Sequence, residues 1–284
     1  MKVVEIRKIA DINELEGIVE VEKSAWNMPD YREAVPVHML RALKDNGGLI
    51  LGAFSNGNLI GFSFGWVVGC GSSAYFYSHM SGVMHSHKYK NIGFRLKLKQ
   101  REEVLKMGIK LIKWTFDPLQ ALNLNFNLEK LGVIARNYKK NYYGNIRDSI
   151  NRGLDSDRVE AEWYLDSNHV IRRIEGIDKT PPPNELVKNG GRIVIDRQLK
   201  FGMEVPVKKD FAIDVKTILI AIPKEISSIR NASIDIARAW RQYTREAYEF
   251  YLGKGYILSG FSKDEEGNGY AILFHSNLND ILGG

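Results

Sequence analysis

The chain has 284 residues, which suits one large domain or two ordinary ones. Hydrophobic residues make up 44% and charged residues 26% of the chain, values typical of a globular protein with a sizeable core. The net charge of +6 favours anionic partners, but acidic and basic residues are interspersed, so the sequence does not favour nucleic acid. The single cysteine, Cys70, excludes an intramolecular disulfide and a cysteine-based metal cluster.

Two features bear on the compartment. Glu5 and Arg7 interrupt the start of the chain and no apolar stretch follows, so the sequence predicts no secretory signal. The longest apolar runs, such as that from Ile218 to Ile222, have the length of a strand and not of a membrane span. We therefore predict a cytoplasmic protein with no membrane partner, and leave its oligomeric state, including a homo-oligomer, open.

The hydrophobic pattern predicts strands and helices in an α+β order. In the first part, Asp11 and Glu14 form a capping-box pattern at the start of a helix, and the turn after Phe54 joins two strands into a hairpin. The predicted strands cover residues 3–9, 49–54, 59–66, 74–84, 110–115 and 133–138, and the predicted helices cover residues 11–26, 37–43, 93–107 and 119–131.

The second part of the chain begins after a proline-rich stretch at Thr180 to Pro183, which predicts an extended linker or surface loop. Beyond it we predict strands at 192–196, 216–222, 256–261 and 270–275 and a long helix at 227–252. The predicted organisation is a first domain at 1–165, a linker at 166–190, and an α+β extension at 191–284. This extension either packs on the first sheet or extends it.

The segment from Val83 to Arg95 carries the main functional signal. It leaves a strand, passes through a basic loop and enters a helix at a glycine, which is how proteins build a pyrophosphate site from free helix amides. A solvated lysine-rich turn is the open alternative. The candidate cofactor-binding residues are Val83, Met84, His85, Lys88, Tyr89, Lys90, Asn91, Ile92, Gly93, Phe94 and Arg95.

The same loop holds a histidine pair, His85 and His87. Two histidines at this spacing could bind a metal, but the spacing provides no third ligand. The basic context favours an anion, so we predict no metal site.

These features resemble the GNAT acetyltransferase superfamily over roughly residues 1–165. Lys88-x-x-Asn91-x-Gly93 matches the family's loop pattern Gln/Arg-x-x-Gly-x-Gly/Ala, and Leu128 to Val133 is similar to its Leu-Tyr-Glu-Lys-Leu-Gly-Phe segment. The stretches Trp114 to Gln120 and Asn141 to Gly144 look closest to a little-characterised branch.

The resemblance implies a fold, a cofactor and an activity. The fold would be a mixed, mostly antiparallel central sheet flanked by helices. The strand backbone at Val83 to His85 would hold the pantetheine arm of acetyl-CoA or another acyl-CoA, and Lys88 to Gly93 its pyrophosphate. The implied activity is N-acyl transfer to an amine acceptor, either a small molecule or a peptide.

Two departures from the family pattern matter. Asn91 replaces the first loop glycine, although asparagine tolerates the left-handed conformation better than most residues. Leu128 stands where many members place the tyrosine that protonates the departing CoA thiolate. The alternative function is therefore a non-catalytic binding or regulatory protein on the same scaffold.

Four residues are candidates for acid–base chemistry. His79 shares a strand face with Tyr75 and Tyr77 and could act as a base, or the three could be ordinary strand-face aromatics. Tyr142 and Tyr143 could replace the missing acid or be structural. Asp117, before Pro118, could be a base or a turn former.

The long C-terminal helix carries an apolar stripe and an arginine row. The stripe predicts a core-facing side formed by Ile236, Trp240, Tyr243, Ala247 and Phe250. The row of Arg238, Arg241 and Arg245 is either a solvated face with an Arg245–Glu249 pair or an anion clamp.

Overall fold

A computed structural model describes residues 4–85, 91–144, 146, 153–200, 202–211 and 215–283. Its contacts divide the chain into two compact units. Unit 1 comprises Met1–Trp114 and Ile146–Arg152, and unit 2 comprises Thr115–Asn145 and Gly153–Gly284. The division falls after Trp114, whereas the sequence predicted a domain boundary at residue 165.

Regular structure occupies most of the described chain. The strands are β1 Val4–Lys8, β2 Leu49–Ser55, β3 Asn58–Val68, β4 Tyr75–Val83, β5 Leu111–Phe116, β6 Ile134–Lys139, β7 Arg158–Tyr164, β8 Arg192–Lys200, β9 Met203–Lys208, β10 Thr217–Ile222, β11 Ile257–Lys263 and β12 Gly269–Phe274. The helices are α1 Ile12–Trp26, α2 Val37–Asp45, α3 Ile92–Lys106, α4 Ala121–Leu124, α5 Asn168–Ile174, α6 Pro183–Lys188, α7 Ile226–Ala232, α8 Ile234–Gly253 and α9 Leu278–Leu282.

Unit 1 is built on a sheet with the strand order β1-β2-β3-β4-β5. Its neighbouring strands are antiparallel except for β4 and β5, which run parallel. The predicted hairpin is confirmed: Asn56 and Gly57 both have positive φ, as a two-residue turn that matches strand twist requires. The core of this unit lies between α1, α2 and the face of the sheet that carries Phe62 and Phe64.

Helix α1 begins as predicted, with one difference at its cap. The Asp11 side chain accepts a hydrogen bond from the Glu14 amide, but the Glu14 carboxylate accepts from Ala10 instead of completing the box at Asp11. Ile12, the first residue of the helix, is exposed although it is apolar. The helix buries Leu15, Ile18, Val21 and Glu22 instead.

Unit 2 is built on a sheet with the order β7-β6-β11-β12-β10-β8-β9. Among its described residues, β10 and β8 pair in parallel and the other neighbouring strands pair antiparallel. Strand β11 pairs with β6 through Leu258 and Ala135. The C-terminal strands therefore extend the sheet that contains β6 and β7. This shared sheet explains why these strands belong to one compact unit with β6 and β7.

The predicted class is confirmed: the chain is α+β, with mixed, mostly antiparallel sheet flanked by helices. Two helix predictions are wrong in detail. The helix predicted at 119–131 is a single turn, α4, followed by a π-helical turn at Asn125–Lys130. The helix predicted at 227–252 is broken at Ser233, whose extended backbone lets its side chain cap Ile236. Within the described ranges, no helix has the length and apolar content that crossing a membrane requires.

Candidate functional site

Strands β4 and β5 form a fork at one edge of the unit 1 sheet. Their recorded pairs are Phe76 with Ile112 and Tyr77 with Lys113. Beyond Tyr77, β4 continues to Val83 with no recorded pairing to β5 among the described residues. The backbone groups on this edge of β4 are therefore available to an extended ligand, as at any free strand edge.

A β-bulge lies at the start of this free edge. On the other side of β4, Gly65 pairs with Ser78 and Phe64 pairs with Met80, so His79 is the extra residue of the bulge. Bulges redirect side chains and interrupt regular pairing, and they are frequent beside active sites. The bulge therefore sets the orientation of His79, one of the predicted catalytic residues.

Aromatic rings surround His79. Its ring centroid lies 5.5 Å from those of both Phe64 and Trp66 and 6.1 Å from that of Tyr77. The residue is exposed overall, yet its ring faces these neighbours, and the resulting desolvation lowers its pKa. Desolvation therefore favours the neutral imidazole, the form that can accept a proton.

The predicted pyrophosphate site begins at Asn91, which adopts the left-handed conformation with φ of 70°. Asparagine adopts this conformation more readily than most non-glycine residues. The Asn91 side chain makes no capping hydrogen bond, so the first amides of α3, at Ile92, Gly93 and Phe94, are not capped by it. The other predicted residues of this loop, Lys88, Tyr89 and Lys90, lie outside the described residues.

The remaining predicted cofactor residues make contacts within unit 1. Val83 pairs with Gly61, and the Met84 amide donates to the Ile60 carbonyl over 2.9 Å. The His85 amide lies 3.4 Å from the Ser24 hydroxyl. Arg95 donates to the carbonyl of Val4 over 2.8 Å, so its guanidinium is directed to β1 in this conformation.

Sequence reasoning missed a buried lysine at the fork. Lys97 of α3 is 4% exposed, and its ammonium donates to the Ser78 hydroxyl over 2.8 Å and to the Gln100 side-chain oxygen over 3.1 Å. The same ammonium lies 3.9 Å from the centroid of the Trp114 ring on β5. Burial lowers the pKa of Lys97 to about 7.

A buried carboxylate on α1 was missed as well. Glu22 is fully buried; one carboxylate oxygen accepts from the Val35 amide over 3.0 Å, and the other has no hydrogen-bond partner within the described part of the chain. Burial raises the pKa of Glu22 to about 7, although the Val35 N–H partly opposes this. In the sequence, Glu22 lies at helical spacing on the same face as Leu15, Ile18 and Trp26. This position on the apolar face was the signal that could have predicted its burial.

This carboxylate predicts a pH-dependent stability. Between pH 4.5 and 7 the unfolded chain loses the Glu22 proton while the folded chain keeps it, so the contribution of Glu22 to the free energy of unfolding should fall as pH rises and level off above 7. Glu22→Gln should abolish this fall and be about 2 kcal/mol more stable at pH 8. Denaturant unfolding at several pH values, with the exposed Glu16→Gln as control, measures this. Equal pH profiles for all three proteins would contradict it.

Asp117 occupies a buried ion pair in unit 2. Both of its carboxylate oxygens accept from Arg241 of α8, at 2.8 and 2.7 Å, and one also accepts from the Leu119 amide. Burial opposes ionisation, but the charge and hydrogen bonds of Arg241 hold the pKa of Asp117 below its usual range. This geometry favours the turn and ion-pair role of Asp117 over that of a free base. Arg241 is therefore neither solvated nor an anion clamp.

Tyr142 and Tyr143 stand on the loop after β6. Their side chains are about half exposed, and their rings meet edge to face with 4.7 Å between centroids. The hydroxyl groups of Tyr143 and Thr115, the latter on β5, lie 2.9 Å apart. The loop therefore holds one tyrosine hydroxyl against the end of β5.

Charged residues of unit 2 hold this loop in place. The Asp157 carboxylate accepts from the Asn141 amide over 2.9 Å and from the Tyr138 hydroxyl over 2.5 Å. Arg245 of α8 donates to Asp157 over 2.7 Å and to Asp155 over 2.6 Å. The predicted Arg245–Glu249 pair is wrong, because these two aspartates take the guanidinium. One role of the C-terminal extension is therefore to support the tyrosine loop.

In a comparison with solved structures, acetyltransferases, among them a GNAT-family protein, match over half of this chain. A GNAT-family protein from Desulfovibrio desulfuricans is 14% identical and covers 57% of this chain and 99% of its own, with a TM-score of 0.48. The PaiA N-acetyltransferase from Thermoplasma acidophilum, solved with coenzyme A, is 18% identical, covers 57% and 99%, and has a TM-score of 0.41. YncA from Salmonella typhimurium, solved with acetyl-CoA, is 16% identical, covers 58% and 96%, and has a TM-score of 0.46.

No family model matches the chain, and no curated protein matches it. The features of the chain that bear on its function are the fork, the bulge and the entrance to α3.

Proposed function

We propose that this chain is an acyl-CoA-dependent N-acyltransferase, with acetyl-CoA as the favoured donor and an amine as the acceptor. The observation that carries the proposal is the parallel pair β4/β5, which opens after Tyr77 and Lys113 and has a bulge at its opening. An opened strand pair provides both a backbone edge for an extended arm and space for a reacting carbonyl between the strands.

The described residues fit an acyl-CoA in two places. The free edge of β4 up to Val83 offers backbone groups to the pantetheine arm, whose two amides can pair with them. The amides at the start of α3 follow a left-handed Asn91 and are not capped by its side chain, which suits a pyrophosphate. A simple anion would use only the α3 amides. The free edge of β4 and the sequence Lys88-x-x-Asn91-x-Gly93 together support an acyl-CoA as the ligand.

Catalysis by this chain would depend mainly on holding the two reactants in the reactive geometry. The fork aligns the thioester with the acceptor, and backbone N–H groups at the bulge are suited to stabilise the developing oxyanion. His79, whose pKa is lowered by desolvation, is the proposed base for the amine proton.

The aromatic residues near His79 support an acceptor that carries a cationic amine on a small molecule or peptide. Trp66 and Tyr77, whose ring centroids lie 5.5 Å apart, offer π faces to an ammonium group. Deprotonation by His79 would convert this ammonium into the nucleophile.

A second candidate is a non-catalytic acyl-CoA-binding protein. Leu128 is fully buried and has no proton to donate, and this observation favours the alternative. The two candidates share the binding site and differ only in turnover.

Acyl transfer can be tested by following CoA release from acetyl-CoA with a panel of primary amines. We expect amine-dependent release by the wild-type protein and its loss in Gly93→Trp, because an indole at the start of α3 would block the pyrophosphate. Gly253→Ala, at a position with open space around it, is the control. Acetyl-CoA binding without release for any amine would favour the non-catalytic candidate, and release that Gly93→Trp leaves unchanged would reject the proposed site.

A further inference from the structure

The apex of the fork contains a buried ammonium group. Tyr77 and Lys113 form the last recorded pair of β4 and β5, and the next residues along these strands are Ser78 and Trp114. The Lys97 ammonium contacts both, at 2.8 Å from the Ser78 hydroxyl and 3.9 Å from the Trp114 ring centroid. It therefore bridges the two strands at the point where their pairing ends.

The three side chains that contact this ammonium among the described residues are neutral. They are Ser78 on β4, Trp114 on β5, and Gln100 on α3, whose amide in turn donates to Ser63 of β3. The buried carboxylate of α3, Glu103, instead pairs with Lys8, Lys99 and Lys106. Removing an ammonium from water without a counter-charge is costly, so such a site is suited to an anion that is present only during the reaction.

Lys97 and His79 approach the fork from opposite faces of the sheet. Phe62 and Phe64, with His79 beside Phe64, lie on the face covered by α1, where Trp26 packs on Phe62. Ser63 lies between these two phenylalanines in sequence, so its side chain is on the other face, where α3 places Gln100 and Lys97.

We propose that the Lys97 ammonium receives the CoA thiolate as it leaves and returns a proton to its sulfur, the role for which Leu128 has no suitable group. This inference rests on the proposed acyltransferase function and assigns the acid of that same site. It divides the proton transfers between the two faces, with the base His79 on one and the acid Lys97 on the other.

Before the transfer, the ammonium acceptor loses one proton to His79, which passes it to solvent, so that the neutral amine attacks. The acceptor nitrogen bonds to the carbonyl carbon, the carbon–sulfur bond breaks, and its electron pair stays on the sulfur. Lys97 gives one proton to this sulfur and becomes a neutral amine, while the acceptor nitrogen loses one proton to His79. Solvent then returns a proton to Lys97 and takes one from His79. A lysine pKa of about 7 suits an acid that works near neutral pH.

The test measures the thiol of bound CoA directly. The ultraviolet absorbance of the thiolate, followed against pH at saturating CoA, yields the thiol pKa on the wild-type protein, on Lys97→Met and on Lys97→Gln. Lys99→Met is the matched control, because Lys99 lies on the same helix and pairs with Glu102 and Glu103. Amine-dependent acetyl transfer is measured on the same four proteins.

We expect the bound thiol pKa to be at least one unit lower on the wild-type protein and Lys99→Met than on either Lys97 variant. We also expect kcat to fall roughly 100-fold or more in both Lys97 variants, the range typical of a lost general acid. A bound thiol pKa that is the same on all four proteins would overturn the role of Lys97 while leaving acyl-CoA binding intact. Failure of the wild-type protein to bind CoA would instead reject the proposed function itself, and this inference with it.

Discussion

Replacing Arg241 with methionine should destabilise the protein by about 3–5 kcal/mol, because it leaves the Asp117 carboxylate buried without its counter-charge. The loss should be greater at pH 7 than at pH 4. In the variant, the pKa of the unpaired carboxylate should rise, so that Asp117 can fold as the neutral acid at low pH. Denaturant unfolding at both pH values measures the effect.

The matched control is Arg238→Met, on the same helix. Arg238 is exposed and lies 3.6 Å from an exposed Asp235, so its loss should change stability by less than about 0.5 kcal/mol. The double variant Asp117→Asn/Arg241→Met should recover part of the stability, since no charge is then left buried. If Arg241→Met were as stable as Arg238→Met, the buried pair would not have the structural role assigned to it.

The second large effect is expected for Gly65→Ala at the bulge. A Cβ atom at Gly65 would lie 2.1 Å from the Tyr77 carbonyl oxygen and 2.6 Å from the Phe76 ring. Because a backbone oxygen cannot move away freely, β4 would have to shift where the fork opens. We expect a loss of about 3 kcal/mol in stability and at least a tenfold loss in CoA affinity for the folded variant.

Gly17→Ala is the control for this substitution in unit 1. Its Cβ would meet only the side chain of Leu59, at 3.3 Å, and alanine favours the helical conformation of α1. Its stability and CoA affinity should stay close to wild type. Gly65→Ala with unchanged stability and affinity would show that the bulge does not determine the shape of the site.

Local patterns predicted the first half of the fold well because they depend on neighbours in sequence. The Asp11 cap, the Asn56-Gly57 turn and the left-handed Asn91 are each determined by one or two residues and their backbone preferences. The break at Ser233 was missed because the apolar spacing continues through it, and only the backbone geometry reveals the cap.

The site was predicted less completely than the fold. Lys97 gave no signal, because a lysine in a helix ordinarily lies in solvent, and its burial depends on Ser78 and Trp114 from separate strands. For Asp117 the sequence left a base and a turn former open, and its partner Arg241 is distant in sequence, so the ion pair could not be inferred. A pair of residues this far apart in sequence can be identified only when the strand order and the helix positions are known.

The most direct test of the central claim is a thermal-shift titration of the wild-type protein and Gly93→Trp with CoA, acetyl-CoA and a longer acyl-CoA. We predict that Tm rises with ligand concentration for the wild-type protein, as expected of a ligand that binds only the folded state, and that it does not rise for Gly93→Trp. The absence of any shift for the wild-type protein up to millimolar ligand would contradict acyl-CoA binding, and with it the proposed acyltransferase.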